Sequence, residues 1–150
     1  MFEFKISLHQ ACLQSIDQTI TLATQAMEDA QNAANQETKS SVGDKYETGR
    51  AMMQLEKEKY AQQLAQAQDL RQQLELLNPQ NTSSHIQRGT LLRSNESLYY
   101  LGVSLGKITH EGKTVFVLSA ASPLGQVLLG KKAGDKISFQ GRSISILGLW

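Results

Sequence analysis

Residues 78–84 read Asn78-Pro79-Gln80-Asn81-Thr82-Ser83-Ser84, and this stretch divides the chain. Proline has no amide proton to continue a helical ladder, and the small polar residues after it favour turns, so a helix ends here and a linker follows. Composition changes across it. Residues 1–78 hold 7 Lys and Arg against 11 Asp and Glu, whereas residues 79–150 hold 8 against 3. Of the 11 glycines only Gly43 and Gly49 precede the stretch, and both prolines, Pro79 and Pro123, lie at or beyond its start. The first part is rich in Ala, Gln, Leu and Glu, which form helices readily. The second is rich in Val, Ile, Leu, Ser and Gly, which suits strands and turns.

In the first part, Ile6, His9, Leu13, Ile16, Ile20, Ala23, Met27, Ala30 and Ala34 alternate three- and four-residue steps, the 3.5-residue period of a coiled-coil seam. The pattern fades in the polar stretch 35–41. A second seam, Met53, Tyr60, Ala67 and Leu74 with Leu64, Leu70 and Leu77, is interrupted by Lys57 and Arg71. Neither stripe can be buried alone, so residues 1–78 are expected to form an antiparallel coiled-coil hairpin with an acidic tip near 40–50.

After a linker at 79–85, residues 86–150 are expected to form a small α+β domain. Stretches 86–93, 98–105 and 113–119 read as strands. Ser122 and Pro123 open a short helix that ends near Gly130. Stretches 136–140 and 143–149 read as a hairpin turning at Gly141-Arg142. The core is expected from Leu91, Val103, Val115, Val117, Leu124, Leu128, Ile137, Phe139, Ile144 and Ile146.

Composition narrows the function. The net charge of +1 with 40% apolar residues excludes a disordered charged tail and a strongly basic nucleic-acid coat. No apolar run is long enough to span a membrane, and the first residues carry no signal-peptide pattern, so a cytoplasmic protein without a membrane partner is expected. The lone Cys12 excludes an internal disulfide and suits a small buried apolar role. His9, His85 and His110 lie on separate elements, and no phosphate loop or paired metal-binding histidines occur.

The tip, Ser40-Ser41-Val42-Gly43-Asp44-Lys45-Tyr46-Glu47-Thr48-Gly49-Arg50, places two acids three residues apart. Asp44 and Glu47 there have two readings. One is an acidic capping box at a helix start, which is also favoured by the helix dipole. The other is a pair of carboxylates carried into a metal site that another protein holds incompletely. Mg²⁺ takes one or two carboxylates, often shares phosphate oxygens, and orients water for phosphodiester hydrolysis. Arg50, Lys57 and Lys59 on the same helix are candidate RNA-proximal cations, although Glu56 and Glu58 alternate with the lysines as on a solvated face.

Residues 122–135, SPLGQVLLGKKAGD, resemble the C-terminal signature of the bacterial GreA/GreB transcription elongation factors, at Ser122, Pro123, Leu124, Leu128, Gly130, Lys131, Gly134 and Asp135. The order of a coiled coil before a small domain is also similar, and Gly43, Asp44 and Glu47 match the family's Gly-Asp-(Leu/Ile)-Ser-Glu-Asn tip in spacing. The resemblance implies an FKBP-like second domain that binds RNA polymerase beside its secondary channel. It also implies a coiled coil entering the channel, and tip acids that help hold the polymerase's catalytic Mg²⁺ so that backtracked RNA is cleaved. Asp44 would be the main ligand and Glu47 its assistant. The protein would be a monomeric stimulator rather than an enzyme, with no cofactor of its own, and would meet nascent RNA only indirectly.

Lys45, Tyr46 and Thr48 depart from the family tip, and Gly49-Arg50-Ala51 stands where the family has Ala-Glu-Tyr. A relative that binds polymerase and regulates without cleavage is therefore a second expectation. A coiled-coil adaptor with a non-catalytic FKBP-like domain is a third. A prolyl isomerase is a fourth, and it would need an aromatic-lined pocket.

Overall fold

The computed structural model describes the backbone of residues 1–40 and 44–150 and the side chains of residues 1–36 and 48–150. Two helices come first, α1 (Phe2–Ser40) and α2 (Asp44–Glu75). There follow β1 (Leu91–Ser94), β2 (Leu98–Gly102), β3 (Gly106–His110), β4 (Lys113–Ser119), α3 (Pro123–Leu128), β5 (Lys136–Phe139) and β6 (Arg142–Leu149). The class is α+β. The chain folds as two compact units, one of Met1–Leu13 with Gln72–Trp150, the other Gln14–Arg71. The compositional change at 79–85 therefore lies inside a unit, because the outer ends of both helices belong with the sheet.

In the unit Gln14–Arg71, two side-chain bonds set the pairing of the helices. Arg71 Nε donates to Asp17 Oδ1 at 2.6 Å, and Lys57 Nζ donates to Gln31 Oε1 at 2.7 Å. From the first pair to the second, residue number climbs by 14 on α1 and falls by 14 on α2, so the helices run antiparallel in one register over two heptads. The seam residues expected from spacing are covered: Ile16, Ala23, Ala30 and Ala67 are buried, and Ile20, Met27, Tyr60 and Leu64 are half-buried. Lys57 and Arg71 interrupt the apolar stripe because they bridge to the other helix.

In the other unit, six strands run in the order β3-β4-β2-β1-β6-β5, with β2 and β4 parallel and all other neighbours antiparallel. Side chains alternate between the two faces of a strand. One face carries Leu92, Tyr99, Leu101, Ile137, Ile144 and Ile146, which cluster with Leu128 of α3 and Ile86. Leu124 and Phe139 pack at the margin of this cluster. The other face carries Leu91, Tyr100 and Val117, which are register partners, and Leu98 beside Val115. All five are buried. On α1, Phe4, Lys5, Leu8, His9 and Cys12 are buried. This face is wider than the seam, since Ile6 and Leu13 are only half-buried.

Four strand expectations are corrected, the first being that β2 stops at Gly102 instead of running to 105. Residues 86–90 precede β1 without being strand; Ile86 is instead tied through its backbone to Gly130 and Lys131. β3 was not expected, and His110 ends it; Glu111 and Gly112 then turn the chain with φ 47° and 72°. The β5–β6 hairpin turns on Gln140 and Gly141, at φ 50° and 76°, one residue before the expected pair, and Phe139 faces Arg142. Two positive φ angles in succession match the right-handed twist of a hairpin, which decides the turn position.

Candidate functional site

The backbone places Asp44 first in α2 and Glu47 within its first turn. Their side chains, with Lys45 and Tyr46, lie outside the described residues, as do residues 41–43 altogether. At 1.5 Å per residue, the start of α2 stands about 40 Å along the helix from Arg71, where the pair is clamped to Asp17. Arg50 and Lys59 are exposed on α2, with Lys59 Nζ 5.8 Å from the Tyr60 ring centroid. Lys57 differs from the expected solvated face. It is half-buried, and its ammonium is turned to Gln31 of α1.

The signature residues come together as a scaffold. Ser122 caps α3: its Oγ accepts from Gly125 N at 3.0 Å and donates to Ser119 O at 2.7 Å, and Pro123 follows in the first turn. Gly130 adopts φ 78°, and its N–H donates to Ile86 O at 2.8 Å while Ile86 N donates to Lys131 O at 2.7 Å. Gly134 adopts φ 94° and donates to Ile146 O; Asp135 O accepts from Ile146 N. The Asp135 carboxylate accepts from Lys132 N at 2.9 Å and closes the turn before β5. Left-handed backbone at 130 and 134 favours glycine. The motif thus builds α3 and laces it to the sheet, while the side chains of Lys131 and Lys132 remain exposed.

Beside α3 lies a cleft of about 660 Å³, lined by Tyr99, Phe116, Pro123, Leu124 and Phe139. The Tyr99 and Phe116 ring centroids are 5.8 Å apart, and Phe116 is 37% exposed. The charged groups lining it, Glu96 and Arg142, bond to each other at 3.1 Å. This arrangement can hold an apolar side chain, but it offers no free acid or base. The spacing of single aromatics in sequence did not reveal the cleft. Register across β2 and β4, which sets Tyr99 beside Phe116, is what assembles it.

A second polar group was also hidden from sequence. His9 Nδ1 lies 2.7 Å from Tyr100 Oη, both residues buried, and Lys5 Nζ donates to Asn81 O at 2.6 Å. Burial, and then the charge of Lys5, lowers the pKa of His9; burial lowers that of Lys5. Burial pushes the Cys12 thiol up to about 12, which keeps it protonated and unreactive. It also raises the Tyr100 phenol, with Cys12 adding to the effect. This is an internal fastening.

The third histidine approaches a serine. His110 Nε2 is 2.8 Å from Ser7 Oγ, and Glu111 Oε1 accepts from the same hydroxyl at 3.0 Å. The carboxylate lies 3.5 Å from the nitrogen that meets the serine, so it cannot orient the ring from the opposite nitrogen as a catalytic triad requires. Among the described residues no group of three His, Cys, Asp or Glu side chains could hold a metal. No described helix is long and apolar enough to cross a membrane. No family model matches the chain, and no curated protein matches it.

Proposed function

We propose that this chain is a Gre-type elongation factor: it binds RNA polymerase, inserts its helix pair as a coiled-coil hairpin into the secondary channel, and presents Asp44 and Glu47 to the catalytic Mg²⁺. The observation that carries the reading is the antiparallel register fixed by Asp17–Arg71 and Gln31–Lys57. It is consistent with a helix pair whose end remote from residues 17 and 71 is the start of α2, where the backbone of Asp44 and Glu47 lies. The metal and its remaining ligands would be the polymerase's. Two carboxylates are too few to hold Mg²⁺ alone but enough to complete a shared site. The second unit, read as an FKBP-like domain, would dock at the channel rim, and its aromatic cleft offers an apolar seat for that contact.

Lys57 favours a second reading. Its engagement with Gln31 removes one of the cations expected near RNA, as suits a factor that occupies the channel without stimulating cleavage. The test is a stalled elongation complex with 3′-labelled backtracked RNA. Stimulated cleavage that disappears in Asp44→Asn, with polymerase binding retained, supports the first reading. Binding and competition for the channel without cleavage support the second. Absence of binding to polymerase refutes both.

A further inference from the structure

The +1 charge of the whole chain conceals a basic surface on the sheet unit. Residues 79–150 carry eight cations against three acids, of which one, Asp135, lies within the lysine turn and keeps its charge. Glu96 bonds Arg142, Glu111 accepts from Ser7, and Asp135 accepts from Lys132 N. The cations Arg88, Lys131, Lys132 and Lys136 are exposed. The fold gathers the three lysines and brings the chain just before Arg88 beside them. Ile86, two residues before Arg88, is bonded through its backbone to Gly130 and Lys131. Lys132 and Asp135 close one tight turn, through Asp135 N to Lys132 O at 3.1 Å and the carboxylate bond above, and Lys136 follows directly.

From this layout we infer a docking surface for the phosphate backbone of a nucleic acid, formed by Arg88, Lys131, Lys132 and Lys136. Its chemistry favours that partner over an acidic protein. Residues 130–136, GKKAGDK, contain no large apolar side chain, whereas protein interfaces are anchored by buried aromatic or apolar groups. Leu129, 40% exposed, stands only at its border. Lysines on a turn are suited to contacts with phosphate oxygens that do not read sequence. The inference is independent of the polymerase reading, since it concerns a different surface and a different ligand.

The test uses the full chain and a fluorescein-labelled DNA duplex, read by anisotropy. Each neutralised phosphate contributes a slope of about −0.9 to log K against log salt, so four contacts give at most about −3.6, roughly a 150-fold loss between about 50 and 200 mM salt. Binding tighter than about 100 µM at the lower salt, with a steep slope, is expected. Lys131→Glu with Lys132→Glu should weaken it at least tenfold, and Lys131→Gln with Lys132→Gln should do so to a smaller extent. Lys107→Glu with Lys113→Glu makes the same change in net charge on β3 and β4, at the far end of the strand order from β5, and should weaken it less than threefold. Thermal melts of each variant establish that the fold is kept. Equal losses in the two Glu pairs, binding of labelled polyglutamate as tight as that of the duplex, or no binding of the duplex would each overturn the inference.

Discussion

Replacing Gly125 by alanine separates two physical effects of opposite sign. Gly125 lies inside α3, where alanine is the better helix former by about 0.5–1 kcal/mol. Propensity alone predicts a more stable protein. The surroundings predict the reverse. A Cβ on Gly125 would run into the Ser119 carbonyl oxygen, and it would sit 2.9 Å from Ser122 Oγ and 3.0 Å from Ala120 Cα. The carbonyl is held in place, because it already accepts from Ser122 Oγ at 2.7 Å and Ser122 N at 3.1 Å. Relief requires α3 to move outward, which would loosen the Ser122 cap and unseat the fully buried Leu128. Losing a cap costs about 1 kcal/mol, and overpacking costs about 1–3 kcal/mol. With the propensity gain subtracted, the net loss is about 2 kcal/mol, a fall in Tm of roughly 10 °C for a unit of this size. Trp150 is the only tryptophan, and its ring lies 5.6 Å from the Arg93 guanidinium, so urea unfolding followed by its fluorescence reports on this sheet. A control is Gly130→Ala, where no atom lies within 4 Å but φ is 78°; it should lose about 1 kcal/mol through backbone strain alone. A Gly125→Ala protein as stable as the parent, or more so, would refute the packing argument.

Other outcomes follow from the polar contacts. His9 has a lowered pKa when folded, so the unfolded chain binds its proton first. Stability should be full above about pH 6.5 and fall as the pH drops toward the folded value, and His9→Phe should flatten that slope in pH-dependent urea melts. Tyr100→Phe leaves buried His9 Nδ1 without its partner and should cost about 1–3 kcal/mol by the same melts. Asp17 and Arg71 are 49% and 31% exposed, so Asp17→Ala should cost less than about 1 kcal/mol, and the exchange Asp17→Arg with Arg71→Asp should restore most of the loss in a double-mutant cycle.

Much of the second part could be read from its residues because its signals are local. The run 113–119 forms β4 over the expected bounds, and Ser122-Pro123 opens α3 through the cap that the pair suggests. All ten expected core residues are buried or lie at the core margin. β3 escaped notice because Gly106, Lys107, Thr109 and His110 make a polar edge strand; its partner β4 supplies the pairing that its own composition does not announce. The aromatic cleft and the His9–Tyr100 bond escaped for a related reason. Each joins residues far apart in sequence, and register, which no single stretch encodes, brings them together.

The helices show how an apparent defect in a pattern can carry information. Lys57 and Arg71 weaken the apolar stripe of α2, and by periodicity alone they reduce the case for a paired helix. In the fold they are its most specific feature. An alanine-rich seam slips at little cost, because one small apolar contact resembles the next. A cation that must meet Gln31 or Asp17 finds its acceptor in one alignment, and a shift of one heptad would leave both half-buried cations facing other residues. Polar seam residues fix register in this way while contributing little stability. That separation matters for the proposed activity. A helix pair proposed to deliver acids to a metal must have its two helices in step, so that the start of α2 comes at one fixed place. Replacing Lys57 and Arg71 together by leucine should therefore leave the helix content unchanged or raise it, while loosening register. In cysteine cross-linking between positions 24 and 64, which the Asp17–Arg71 and Gln31–Lys57 bonds set opposite each other, the parent should cross-link in high yield and the double variant in clearly lower yield. Equal yields would mean that the apolar contacts alone set the alignment.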